Sequence, residues 1–219
     1  MSQTGPDASG VDPLGTDPTG ADRPGTDPPG TGPSGAAWGG GFVRPAREAD
    51  AASLARVQVA SWRCGYAGII PDALLAELTG DEAEKVWRDR WREAIGNPPT
   101  SRHRVLVAIE PAPPRAVVGF VSAGPAADAD RWPGTDGELY ELRVAPEQTG
   151  RGHGSRLLHA VADTLAHDGF HTVAMWVLAA DSALRQFLES AGWAADGARS
   201  ELDVGAVVPA LRLHTRIGE

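Results

Sequence analysis

The chain has 219 residues, a formal net charge of −9 and a single cysteine, Cys64. That charge argues against non-specific attraction to nucleic acid or anionic membranes. One cysteine excludes an internal disulfide framework and a cysteine-based zinc site. No charged start leads into an apolar h-region and no apolar run approaches membrane length, so a cytoplasmic protein is expected.

From Gly5 to Gly40 a glycine recurs every five residues, in units such as GPDAS, GVDPL and GTDPT. Few apolar side chains are present to offset the entropy of ordering, so residues 1–41 read as a disordered Gly/Pro/Asp-rich tail. Residues 42–219 are the right size for one domain with a real core.

Within that domain FVRPA (42–46) reads as a short strand. Asp50 is the expected N-cap of a helix carrying Leu54, Val57, Ser61 and Trp62 at helical spacing. One or two further helices follow. Pro71 opens them, Thr79-Gly80 interrupts them, and Val86, Trp87, Trp91, Ala94 and Ile95 form an apolar stripe. The period then changes to two. RVLVAIE (104–110) and VVGFVSAGP (117–125) read as a hairpin, a polar loop follows, and ELYELRVAP (138–146) is the next strand. After it come Gly150, Gly152 and Gly154, then a helix ended by Gly169, the apolar strand HTVAMWVLA, a short helix from Asp181 to Gly192, and two strands that can pair. The expected fold is α/β, a mixed, mostly antiparallel twisted sheet with helices on both faces and one strand–helix–strand crossover.

A glycine loop between a strand end and a helix N-terminus leaves free amides pointing outward where the helix dipole is positive, which suits a phosphate. The dinucleotide fingerprint fails because Ser155 stands where its third glycine belongs, and the chain lacks the lysine of a P-loop. His103, His159, His167, His171 and His214 have no metal-ligand spacing, so no metal is expected.

Val144–Pro146, followed by T-G-R-G-H-G over Thr149–Gly154, resembles the central motif of the GNAT superfamily of acyl-CoA-dependent N-acetyltransferases. The later D-S-A-L-R-Q-F-L-E-S-A-G-W (Asp181–Trp193) and the early VASWRCGYAGIIPD are similar to that family too. The resemblance spans nearly all of residues 42–219. It implies acetyl-CoA as co-substrate, its pyrophosphate on the loop from Thr149 through Gly150, Arg151, Gly152, His153 and Gly154 to Ser155. It implies pairing of the pantetheine arm with the backbone of Leu142, Arg143 and Val144, and a place near the cofactor for Asp181. Thr149 replaces the usual Gln or Arg, Asp181 an Asn, and Leu188 a Tyr that often protonates the departing thiolate. Leu188→Tyr is accordingly expected to leave the fold intact.

Acetyl transfer to an amine needs a base, because an alkylammonium is protonated at neutral pH. Glu138, at the start of the strand that leads into the loop, matches a position where the family often carries that base. The bland reading is an exposed carboxylate, and Glu141 is the alternative base. Strict alternation puts Glu138, Tyr140, Leu142 and Val144 on one strand face and Glu141 on the other. Trp62, Tyr66 and Tyr140 are candidates for the acceptor pocket, with core packing open for Trp62 and solvent for Tyr66. His153 is expected to face water. Arg151 either pairs with a phosphate or is solvated, and Cys64 reads as a core or half-buried residue. The expected activity is transfer of acetyl to a primary amine of a small molecule or peptide by direct attack, with a homodimer compatible. The rivals are a non-catalytic acyl-CoA-binding domain, favoured by Leu188, and an interaction protein that works through its tail.

Overall fold

A computed structural model describes residues 41–111, 115–203 and 207–218. The expected tail therefore lies outside the described residues except for Gly41, which already sits against the Arg156 guanidinium and the Ile109 carbonyl.

The elements run β1 (Phe42–Pro45), α1 (Ala51–Gly65), α2 (Asp72–Thr79), α3 (Asp81–Gly96), β2 (Arg104–Ile109), β3 (Val117–Pro125), β4 (Asp136–Val144), α4 (His153–His167), β5 (Thr172–Leu178), α5 (Ser182–Ser190), β6 (Ala194–Asp203) and β7 (Val207–Arg216). They build a seven-stranded sheet in the order β1-β2-β3-β4-β5-β7-β6. The β4–β5 pair is parallel and the other neighbours are antiparallel. Helix α4 is the crossover that a parallel pair requires.

Helices cover both faces because each presents an apolar stripe that water would otherwise wet. On one face Leu157, Val161 and Leu165 of α4 and Leu188 of α5 pack on Val121, Leu139, Leu142 and Leu213. On the other, Leu54 and Val57 of α1 and Trp87 and Trp91 of α3 pack on Val107 and Phe120. The Trp91 indole N–H is satisfied inside this core by Gln58 Oε1 at 2.6 Å, which offsets the cost of burying it.

Several local expectations are corrected. The Asp50 carboxylate does not cap α1; it accepts from the Arg47 amide at 2.8 Å and both Arg44 nitrogens, because the residues before α1 already form a 3₁₀ turn. Val86 is exposed while Trp87 and Trp91 are buried, so the α3 stripe is narrower than its sequence suggests. Cys64 is exposed near the end of α1.

Candidate active site

Strands β4 and β5 pair only over Asp136–Thr172, Gly137–Val173 and Glu138–Ala174. β4 continues to Val144 and β5 to Leu178. Past Glu138 the two strands part, and the edge of β4 is left open in the middle of the sheet. The Ala145 amide bonds back to Val118 O on β3 at 2.8 Å. By alternation the backbone groups of Val144 and Leu142 point away from β3, into the gap. An open edge of this kind can hydrogen-bond an extended amide-containing chain.

The same gap leads to the glycine loop. Gly150 and Gly152 have φ of 72° and 78°, and Gly152 is the N-cap of α4. A side chain is strained in that conformation. Among the described residues no acceptor takes the amides from Gly150 to Ser155, so they project together from a helix N-terminus. Gly154 has a different reason to lack a side chain: a Cβ there would stand 3.2 Å from Phe187 Cζ. Thr149 Oγ1 donates to Pro146 O at 2.9 Å, and Arg151 Nη1 donates to Gln148 Oε1 at 3.0 Å. Exposed Arg151 stays free to turn toward an anion.

His153 does not face water. It is buried, with Nδ1 3.0 Å from Arg156 Nη1. Burial and then the neighbouring guanidinium hold it below the ordinary histidine value, which favours the neutral ring. Arg156 Nη2 also donates to the Arg151 carbonyl at 3.0 Å, which braces the loop from beneath.

Strict alternation along β4 fails at one residue. Ser122 pairs with Glu141 and Ala123 with Leu139, so Tyr140 has no partner on β3 and forms a β-bulge. The bulge swaps the faces. Leu139 and Leu142 both enter the α4 core, and Glu138 therefore shares the α1 face with Glu141 and Arg143, not with Leu142 and Val144. On that face Trp62 Nε1 donates to Glu141 Oε1 at 2.9 Å, Arg143 Nε donates to the same oxygen, and Arg143 Nη2 donates to the Tyr66 hydroxyl. Trp62 also packs edge-on against Trp87 at 5.0 Å. Trp62, Tyr66 and Arg143 thus meet in one place, around the buried Glu141 carboxylate. That carboxylate is already occupied by donors, which argues against its use as a base.

Glu138 stands apart from this pair. One carboxylate oxygen, Oε2, accepts a long 3.3 Å bond from the Ala127 amide. Burial first, and then the charge of Asp128, push its pKa up to about 7, against the Ala127 bond, Arg212 and Arg131, which pull it down. Tyr140 turns toward His103: its hydroxyl donates to Pro125 O at 2.8 Å and its ring stacks on the imidazole at 5.9 Å. Asp181 caps α5 through the Leu184 amide at 3.0 Å.

Leu188 is fully buried in the α4 core, and the Ser190 hydroxyl donates to Phe187 O at 2.7 Å. Leu188 is therefore a packing residue. Leu188→Tyr adds a ring and a hydroxyl to a filled site, and should cost about 1–3 kcal/mol. A fall of several degrees in Tm checks this; an unchanged Tm would mean that the side chain can swing out of the core.

A second polar cluster, on residues read from sequence only as loop and strand, adjoins Glu138. Arg212 of β7 is buried and bonds Asp128 at 2.6 Å, Asp130 at 2.7 Å and Asp196 at 2.7 Å. Trp176 Nε1 of β5 donates to Asp128 at 3.0 Å. The sequence offered no distinct signal for this cluster, since Arg212 alternates with Leu211 and Leu213 and shares its parity with Arg216. No group of metal-ligating side chains occurs among the described residues, and no described helix is long and apolar enough to cross a membrane.

An open strand edge that runs into a cradle of helix-terminal amides suits a ligand that joins an extended amide chain to a pyrophosphate, the chemistry of coenzyme A used by acyl-group transferases. The chain belongs to the acetyltransferase (GNAT) family, whose model matches residues 71–193. It is 35% identical over 136 residues to the uncharacterized N-acetyltransferase YuaI of Bacillus subtilis, an alignment covering 62% of this chain and 70% of that one. Among solved structures it resembles the PaiA N-acetyltransferase of Thermoplasma acidophilum in complex with coenzyme A, with TM-score 0.62, 17% identity and coverage of 80% and 98%. It also resembles YncA of Salmonella typhimurium with acetyl-CoA, with TM-score 0.58, 18% identity and coverage of 82% and 95%.

Proposed function

We propose that this N-acetyltransferase moves acetyl from acetyl-CoA to a primary amine of a small molecule or peptide by direct attack, with Glu138 as the base. The carrying observation is Glu138 itself, a carboxyl at the β4–β5 fork with a pKa pushed up to about 7. A base poised near the working pH is ionised often enough to act and basic enough to take a proton.

The amides from Gly150 to Ser155 suit the pyrophosphate, and the open edge at Leu142 and Val144 suits the pantetheine amides. The coenzyme A and acetyl-CoA held by the two solved structures of this fold support that assignment. Bound acetyl-CoA supplies an activated acyl carbon. The acceptor ammonium gives its proton to Glu138, directly or through water. The amine nitrogen then forms the C–N bond as the C–S bond breaks, the sulfur leaves as thiolate, and the second proton that the nitrogen must shed passes to that thiolate to give the neutral amide and the free thiol. A thiol has a pKa of about 8.5, so that departure needs little help. Leu188, the feature that favoured a binding-only domain, is accounted for by packing.

The test is release of free thiol by the full chain with acetyl-CoA and a panel of amines and peptide N-termini. Thiol should appear in step with acetylated amine, well above the rate without acceptor. Tight coenzyme A binding with no acceptor-dependent thiol from any amine would overturn the reading.

A further inference from the structure

The segment between β3 and β4 crosses the sheet face beside Glu138, and it is anchored from three strands. Arg212 on β7 bonds Asp128 at 2.6 Å and Asp130 at 2.7 Å. Trp176 on β5 bonds Asp128 at 3.0 Å. Asp196 on β6 bonds Arg212 Nε at 2.7 Å and also meets Arg131. Arg212 lies 5.5 Å from the Trp176 ring centroid, so cation and indole brace each other. The loop is thus tied to a buried arginine, and it delivers two things to the base. The Ala127 amide reaches Glu138 Oε2, and Asp128, the next residue, sets a negative charge beside it.

We propose that Asp128, fixed by Arg212 and Trp176, is a positioning residue for the acetyl-transfer base: it anchors the segment whose Ala127 amide meets Glu138 Oε2 and so places its own carboxylate next to that contact. The inference rests on the reading of Glu138 as the base. The charged and titratable groups on the elements around Glu138 are Asp128, Asp130 and Arg131 from the segment, Arg212 and His214 from β7, Asp196 from β6 and Tyr140 on its own strand, while β5 presents Ala174 and Trp176, which do not titrate. Asp128 is the negative group next in sequence to the amide that bonds Glu138, and a like charge favours the protonated carboxyl. Arg212 opposes it by charge and supports it by geometry, so the clamp holds Asp128 in place despite bringing a cation near.

The experiment is the pH profile of kcat/KM for the full chain with acetyl-CoA and one good amine. The parent should lose activity on the acid side with a midpoint near 7. Asp128→Asn keeps the shape and removes the charge, and should move that midpoint down by about 0.5–1 unit. Asp130→Asn, which loses a contact to the same arginine, should leave the midpoint in place. Should Asp128→Asn fail to fold, Asp128→Ser carries the same test. A limb that stays put in folded Asp128 variants overturns the inference, as does an equal shift in Asp130→Asn. Glu138→Gln separates the two levels. If it abolishes the acid limb while Asp128→Asn does not move it, only the role of Asp128 falls; if the limb survives Glu138→Gln, the base assignment falls with it.

Discussion

Glu138→Gln is expected to lower the acetyl-transfer rate at neutral pH by about two to four orders of magnitude, the usual worth of a positioned base. The amide keeps the size of the side chain and can still meet the Ala127 amide through its oxygen, so the fold should hold. The pH profile carries the mechanism. In the parent, activity should rise as Glu138 loses its proton, with a midpoint near 7. In Glu138→Gln that limb should vanish. The residual rate should climb with pH up to the pKa of the amine, because the free amine no longer needs a base. Glu141→Gln is the companion variant. Its carboxylate receives Trp62 and Arg143, so its loss leaves a buried guanidinium short of its partner, and stability should fall. If Glu141→Gln instead reproduces the lost limb with an unchanged Tm, the base lies at 141.

The fold was legible because its signals are local. The change of period at Arg104, the helix-ending Gly169, and the strand–loop–helix–strand unit from β4 to β5 could each be read within a short window. The site was half legible. The glycine loop before α4 and Glu138 at the β4–β5 fork stand in the fold where the strand–loop–helix pattern puts them. What alternation could not show is the bulge at Tyr140, since the extra residue is defined by the register of β3. Once it is present, Glu138 and Glu141 share a face, and Trp62, Tyr66 and Arg143 gather around the latter. His153 was misread for a related reason: it looks like a loop residue until Gly152 is seen to start the helix, after which its side chain turns inward against Arg156. The clamp on Asp128 was out of reach, because its members are 84 residues apart at their widest and meet only when β7 inserts beside β5.

Gly152→Val should abolish measurable coenzyme A binding, read by calorimetric titration, while the protein stays folded. The substituted side chain would stand at the N-cap of α4, among amides that have no other acceptor among the described residues. Hydrogen bonds from amides to a charged oxygen are worth about 1.5–3 kcal/mol each. Blocking even a pair of them therefore costs roughly 100-fold or more in affinity. The difficulty is strain. At φ of 78° a valine is strained whatever its surroundings, at about 1–3 kcal/mol, and a weakened fold would also bind poorly. Gly169 provides the control. It lies just beyond the other end of the same helix at φ of 85°, with nothing within 4 Å of where a Cβ would be. Gly169→Val should lose a comparable amount of stability and keep coenzyme A affinity. Both variants losing affinity together would assign the effect to helix stability. Gly152→Val binding as the parent does would remove the pyrophosphate from this loop altogether. Gly154 is the poorer probe, since a side chain there strikes Phe187 first, and loss of binding would then report a displaced α5 as readily as a blocked cradle.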